Sequence, residues 1–204
     1  MPIYLPTTPG FVTSRFGLEF NTQAFTSPFT KSTQRVALSG ARWVWTASLP
    51  AMKRDRAAAW QAFFLQLEGA ANTFYGFDPD AKAPRGLARF TPGTPQVNGA
   101  NQTGSTLNIK DCPTNVTGYL LPGDRFGVGG ELKMVTAQVD TNGSGQATLA
   151  FKPALRNSPA DNAAITLDRP TCTMAMADDQ QAMWECDAMG VYQPKSFSAI
   201  EVFS

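Results

Sequence analysis

Alternating apolar and polar positions predict β-strands over residues 11–49 of the chain. In residues 42–49 every second side chain is apolar, so these side chains share one face of a strand. That face consists of Trp43, Trp45, Ala47 and Leu49. Residues 34–39 predict a shorter strand before it, and residues 11–26 alternate more loosely, with phenylalanines that would help to cover such a sheet.

A helix is predicted over residues 50–68, followed by a strand over residues 72–77. Pro50 suits the first turn of a helix, and Gly69 suits the left-handed position just past its end. The apolar stripe of this helix has the spacing of a buried face, and it consists of Ala57, Trp60, Phe63, Phe64 and Leu67. We therefore expect a sheet braced by one helix, with core or interface positions at Trp43, Trp45, Trp60, Phe63, Phe64, Leu67, Phe74 and Phe77.

Four charged residues crowd the start of this helix: Lys53, Arg54, Asp55 and Arg56. Three of them are cations, which oppose the positive end of the helix dipole. They are either ordinary solvated charge or partners in salt links between subunits.

The pattern changes after residue 90. Residues 91–105 have almost no apolar side chains and are typical of a linker. Short strands are then predicted at residues 106–110, 124–128, 132–139, 146–152 and 164–167. Gly129–Gly130 is a two-residue hairpin signal, and residues 140–145 (DTNGSG) predict another hairpin turn. Five short strands in about 60 residues favour a small barrel or a compact sandwich.

Alternation returns in residues 172–177 and 197–203. The strand at residues 197–203 is too apolar to remain unpaired, and we expect it to rejoin the first sheet. The predicted fold is mainly β with a minor α component. A sandwich-like split domain would comprise residues 1–93 and 171–204, and residues 94–170 would form an inserted small β-barrel of OB-like type.

The composition excludes several classes of protein. Among 204 residues there is no histidine, which removes the usual general base and the commonest transition-metal ligand. The net charge of +1 offers little for electrostatic capture of nucleic acid. There is no run of 18 apolar residues and no secretory signal, so neither a membrane span nor export is expected. Charged residues are only 16% of the chain, which fits either a surface covered by neighbours or a β-rich fold with a neutral polar surface.

Three cysteines and three acidic pairs are the remaining candidates for chemistry. We expect Cys112, Cys172 and Cys186 to be buried or half-buried free thiols, with a Cys172–Cys186 bridge as the alternative. The acidic pairs are Asp78 with Asp80, Asp178 with Asp179, and Glu185 with Asp187. Carboxylates could bind a hard cation or act as acid and base, but none of these pairs has the spacing of a calcium loop. No catalytic, cofactor or metal site is predicted, and among the tryptophans only Trp184 lies in polar surroundings that would allow exposure.

The order of these segments resembles a known family. The strand WVWTASLP, the helix MKRDRAAAWQAFFLQLEG and the aromatic strand after it resemble virion structural proteins of long-tailed bacteriophages. The later stretch LLPGDRFGVGGELKMVTAQV is similar to the same group, as is GSGQATLAFKPALRNSPADNAAITLDRPTCTMAMAD. The sheet and helix resemble the ring domain of distal tail proteins.

The resemblance implies a structural protein of the virion, made in the host cytoplasm and not an enzyme. It would form a ring, usually a hexamer, that joins the tail tube protein to hub or baseplate proteins at the tail tip. DNA would pass through that ring without specific binding. The inserted domain would project outward, where it would contact other tip proteins or host surface glycans during attachment. The competing interpretations are a carbohydrate-binding module, another tail or connector protein such as a tube terminator, and a carboxylate-dependent hydrolase.

Overall fold

In a computed structural model, residues 3–203 of the chain are described, and they are mostly strand. Strands make up 41% of the chain and helices 10%, which confirms the mainly β class with one α-helix. The strands are β1 (Thr13–Thr26), β2 (Thr33–Leu49), β3 (Met52–Lys53), β4 (Phe74–Gly76), β5 (Gln96–Val97), β6 (Gly104–Lys110), β7 (Arg125–Val128), β8 (Glu131–Val135), β9 (Ala147–Leu155), β10 (Cys172–Met176), β11 (Val191–Tyr192) and β12 (Lys195–Glu201). The helix α1 is Arg54–Gln66, and 3-10 turns lie at Leu87–Arg89 and Asp179–Ala182.

The first sheet has five strands in the order β1-β2-β12-β10-β4. Its central pairing joins β2 to the C-terminal strand β12, with Val44 opposite Ile200 and Leu49 opposite Lys195. The prediction that the terminal strand rejoins the first sheet is therefore confirmed. β11 pairs separately with β3, and a second five-stranded sheet has the order β5-β6-β9-β8-β7.

The chain divides into two compact units. The split unit comprises Met1–Phe74 and Met174–Ser204, and the inserted unit comprises Tyr75–Thr173. The predicted first boundary, at residues 93/94, was therefore too late. Residues 75–93 belong to the inserted unit because they are bonded within it: Gly86 N–H donates to Asp124 Oδ2 (3.1 Å), and Tyr119 donates its hydroxyl to Pro92 O (2.5 Å).

The core of the split unit is a cluster of aromatic rings on one face of the sheet. Trp45 meets Phe197 edge to face at 5.3 Å between ring centroids, and Trp60 of α1 lies 6.1 Å from the same ring. Offset and edge-to-face contacts of this kind add to the stabilisation from burial alone. The helix is held to the sheet by these rings.

The helix begins later than predicted. Met52 and Lys53 pair with Tyr192 and Val191 as a short strand, so Pro50 lies before the helix instead of in its first turn. α1 ends at Gln66, and Glu68 takes the left-handed conformation (φ 49°) ahead of Gly69 (φ 70°). The predicted end of the helix, at residue 68, was thus two residues too far along.

Residues 91–105 are not a linker. Val97 is completely buried in the core of the inserted unit, and β5 pairs with β6 there. The predicted strand at residues 164–167 is also wrong, because that segment forms isolated bridges only, Gln96 to Ala164 and Gly127 to Thr166. The Gly129–Gly130 hairpin is confirmed: Val128 pairs with Glu131, and both glycines have positive φ.

Gly145 supports a tight turn in the inserted unit, and we expect Gly145→Ala to destabilise the protein by roughly 2–4 kcal/mol. Its φ is +68°, and a Cβ atom there would lie 2.4 Å from Cys112 O. Gly143→Ala is the matched control in the same turn, because its nearest contact would be 3.5 Å away and its φ is not positive. Urea unfolding of both variants measures the difference, and equal midpoints would contradict the expectation.

Candidate assembly surface

β1 and β2 extend beyond the body of the first sheet as a hairpin. We call residues 20–40 the arm. Every residue in the arm is exposed except the half-buried Ser27. The reason lies in the pairing: β12 covers β2 only from Val44 to Leu49, whereas β1 pairs with β2 as far as Thr26 opposite Thr33. Within the described residues the arm is therefore a two-stranded ribbon with no third layer.

Local hydrogen bonds shape the tip of the arm. Ser27 N–H donates to Ser32 O (2.9 Å), and Lys31 N–H donates to Ser27 O (3.0 Å). The hydroxyls of Thr26 and Thr33 meet at 3.0 Å where the strands enter the turn. Lys31 itself takes the left-handed conformation, with a φ of 58°. The side chains of the tip, apart from the half-buried Ser27, are exposed.

The arm is fixed to the body of the sheet by polar contacts at its base. Arg42 Nε donates to Glu19 Oε2 at 2.7 Å. Next to it the register shifts between Glu19 and Asn21, and Asn21 Nδ2 donates to Ser39 O at 3.1 Å. A bulge of this kind bends and twists a strand pair locally. The arm thus leaves the sheet from a defined base.

The two faces of the arm differ in polarity. Cross-strand partners share a face, and the register places the large apolar side chains of Phe25, Val36 and Leu38 on one face. The same face also carries the polar side chains of Asn21, Gln23 and Gln34. The opposite face carries small and polar side chains, namely Thr22, Ala24, Thr26, Thr33, Arg35 and Ala37. At the tip, Phe29 is 93% exposed. Exposed apolar side chains grouped on one face make the arm a candidate interaction surface.

Most of the predicted core or interface positions are buried within the split unit. The side chains that are at most 3% exposed are Trp43, Trp45, Trp60, Phe63, Phe64, Leu67 and Phe74. Phe77 is different: it is half-buried in the inserted unit, with the Arg169 guanidinium 4.8 Å from its ring centroid. Its assignment to the first core was wrong because the chain has already left the split unit at that point.

The charged start of the helix faces solvent. Lys53, Arg54, Asp55 and Arg56 are all exposed, and in the part of the chain that the structure describes none of them forms an ion pair. Salt links from these residues to another subunit stay a prediction.

Four of the six acidic residues in these pairs have structural partners. Asp78 forms a buried ion pair with Arg125. Asp178 Oδ1 accepts from Gln180 N–H (2.8 Å), and Asp179 Oδ1 accepts from Ala70 N–H (3.0 Å). Asp187 Oδ1 likewise accepts the N–H of Val191 at 2.8 Å. Among residues 3–203 there is no group of three or more His, Cys, Asp or Glu side chains placed to hold a metal ion.

The three thiols are free, so the alternative Cys172–Cys186 bridge is not formed. Cys112 and Cys172 are buried as expected, but Cys186 is exposed. Burial raises the pKa of the Cys112 thiol to about 11, although a hydrogen bond with Tyr119 acts in the opposite direction. Cys112 is therefore a protonated, unreactive thiol at neutral pH.

Trp184, the tryptophan whose polar surroundings would allow exposure, is half-buried. Its indole N–H donates to Gln193 O at 2.6 Å, and its ring packs edge to face on Phe64 and Tyr192. These contacts fasten residues 184–193 to the helix side of the split unit. They explain Trp184 as a packing residue.

No protein-family model matches this chain, and no curated protein matches its sequence at a significant level. In the described part of the chain, no helix combines the length and the apolar composition that crossing a membrane requires.

Proposed function

We propose that this chain is a structural protein of a long-tailed bacteriophage tail, a distal tail protein that assembles into a ring between the tail tube and the tip. The observation that carries the proposal is the arm, whose apolar face has nothing to cover it in a single copy. A surface of this kind is a liability for a solitary protein, and closing a ring of identical copies removes it.

The energetics favour self-assembly over solvation of the arm. Burying a phenylalanine side chain contributes about 1.5–3 kcal/mol, and two of them, Phe25 and Phe29, are more than two-thirds exposed. Each copy in a ring has one arm to bury and one surface to receive a neighbour's arm. The helix and the aromatic core stiffen the sheet from which the arm extends, so that its direction is the same in every copy.

The role of the ring is mechanical in this proposal. Identical subunits around an axis leave a passage for DNA, and a subunit with a net charge of +1 does not hold a polyanion strongly. The inserted unit would then supply contacts to the hub, the baseplate or the host surface.

The test is the oligomeric state of the full chain, measured by sedimentation velocity and native mass spectrometry. We expect a closed ring, with six copies as the leading stoichiometry. Replacing both Phe25 and Phe29 by serine should weaken self-association by at least about tenfold per side chain. Phe90→Ser is the matched control, because Phe90 is 76% exposed but lies outside the arm.

The position in the virion is tested separately. Antibody against this protein should label one band at the end of the tail tube in electron micrographs. A protein that stays monomeric at tens of micromolar, or a virion that carries no such band, would contradict the proposal.

A further inference from the structure

A second exposed apolar surface lies on the split unit, in residues 178–190, which we call the methionine loop. Met183 is 74% and Met189 90% exposed. Methionine side chains are flexible and adapt to many partner shapes, and exposed ones recur at binding surfaces. The contacts of Trp184 anchor the middle of the loop, so the two methionines are presented from a fixed base.

The charges of the arm and the methionine loop are opposite. The arm carries two cations, Lys31 and Arg35, and no acid. The loop carries four acids and no cation: Asp178, Asp179, Glu185 and Asp187. Two cations lie beside the loop: the exposed Lys53, whose strand pairs with Val191, and the buried Lys195, whose Nζ donates to Met183 O (2.5 Å).

Glu185 is the acid most available to a partner. The other three carboxylates of the loop each accept a backbone N–H. Glu185 is exposed, and its carboxylate has no hydrogen-bond or ion-pair partner among residues 3–203. A cation brought to this surface would therefore find a carboxylate that no other contact occupies.

The arm cannot reach the methionine loop of its own chain. The arm leaves β2 beyond Arg42, whereas the loop joins β12 at Lys195, opposite Leu49 at the other end of β2. Seven residues of strand separate these ends by about 23 Å, and the arm extends roughly 30 Å further in the opposite direction, at about 3.3 Å per residue. Contact between the two surfaces requires a second copy.

We propose that the arm of one copy docks on the methionine loop of the next. The arm's apolar face and Phe29 pack on Met183 and Met189, and Lys31 at the tip meets Glu185. Pairing of two arms is disfavoured by comparison, because it brings cations together with no acid. A contact between two different surfaces repeats from copy to copy, and it closes into a ring when the rotation allows. The inference deepens the proposed function and rests on its self-assembly.

Complementation between two defective full-length variants tests this contact. One variant loses the arm surface (Phe25→Ser with Phe29→Ser), and the other loses the loop surface (Met183→Ser with Met189→Ser). Each alone should be monomeric. Mixed in equal amounts they should form a 1:1 dimer and nothing larger, because one intact arm and one intact loop remain. Circular dichroism confirms that each variant is folded.

A charge exchange tests the register. Lys31→Glu and Glu185→Lys should each weaken self-association at least tenfold, and the double variant should recover to within about threefold of the unmodified protein. Arg35→Glu is the matched control, since Arg35 lies on the arm face that points away from the apolar contact. Its effect should be much smaller.

The outcomes separate this inference from the proposed function. If the unmodified chain is a monomer, both fail. If it forms a ring that the loop variants leave intact, the ring stands and the methionine loop is not the receiver. If the arm variants also leave the ring intact, the arm binds another tail protein and the inference is overturned. The inference is also overturned if the loop variant is monomeric and mixing it with the arm variant forms no dimer.

Discussion

Trp60→Ala is expected to lower the free energy of unfolding by about 3–5 kcal/mol, the usual cost of removing a large buried aromatic side chain. Trp60 is completely buried, and its ring lies within 6.1 Å of four others. Deleting it removes one of the ring contacts between the helix and the sheet, while those of Phe63 with Phe74 and of Phe64 with Phe197 remain. Urea unfolding followed by circular dichroism measures the loss.

Trp60→Phe is the informative control. The buried indole N–H of Trp60 finds no hydrogen-bond acceptor among the described residues, and an unpaired buried donor costs roughly 1–3 kcal/mol. Phenylalanine removes this donor while keeping most of the ring contacts. We expect a cost well below that of alanine, and equal costs for the two variants would show that ring packing does not dominate here.

Glu131→Ala is expected to destabilise the inserted unit by about 3–5 kcal/mol, because it removes the carboxylate partner of a buried cation. Lys133 is completely buried, and its Nζ donates to Glu131 Oε2 at 2.5 Å and to Ala154 O at 2.8 Å. Asp168→Ala is the matched surface control, because Asp168 is an exposed acid of the same unit. Hydrogen exchange within the inserted unit gives the local readout.

Removing both charges should recover most of the stability that Glu131→Ala loses. Glu131→Leu combined with Lys133→Met replaces the ion pair by apolar side chains of similar size, and such replacements are often neutral or stabilising. A double variant that is no more stable than Glu131→Ala would show that the carboxylate acts mainly through its backbone contacts to Arg156 N–H (3.2 Å) and Asn157 N–H (3.1 Å).

The same carboxyl group makes stability depend on pH. Burial alone would raise the pKa of Glu131, but the Lys133 ammonium and the backbone N–H groups outweigh it and hold the pKa below its ordinary value of 4.5. Below that value the unfolded chain binds the proton more readily than the folded one, so stability falls as pH decreases. The advantage of the unmodified protein over Glu131→Ala should therefore be full above pH 4.5 and shrink below it.

The sequence predicts a structural element best where the residue pattern that identifies the element lies within that element. The alternation around Trp43 and Trp45 and the stripe through Trp60 identified a core that the structure contains. The glycine pair at 129–130 identified a hairpin because its backbone conformation is a local requirement. Such signals need no knowledge of distant partners.

Distant pairing explains the errors. Residues 52–53 form a strand because residues 191–192 lie beside them, and nothing in the helical stripe reveals that partner. Gln96–Val97 is a two-residue strand in a polar stretch, and it adds an edge to the second sheet by pairing with the next strand, β6. A short strand of this kind cannot be distinguished from a linker by composition alone.

The arm was missed for a different reason. Residues 34–39 and 42–49 were predicted as separate strands, whereas the structure has one strand from Thr33 to Leu49. The signal in the sequence is a set of apolar residues at alternating positions. Phe25 is such a residue in β1, and Val36 and Leu38 are two such residues in β2. Periodicity shows that such side chains share a face, but it does not show whether that face meets a core or a neighbour.

The order of the first sheet has a consequence for how such a protein can diversify. The polypeptide departs from the sheet after β4 and rejoins it at β10, its immediate neighbour. Everything between these strands forms a compact unit with its own core. During evolution the inserted unit could therefore be exchanged for another module whose two ends lie side by side. The strands of the first sheet, and whatever they assemble into, would stay unchanged.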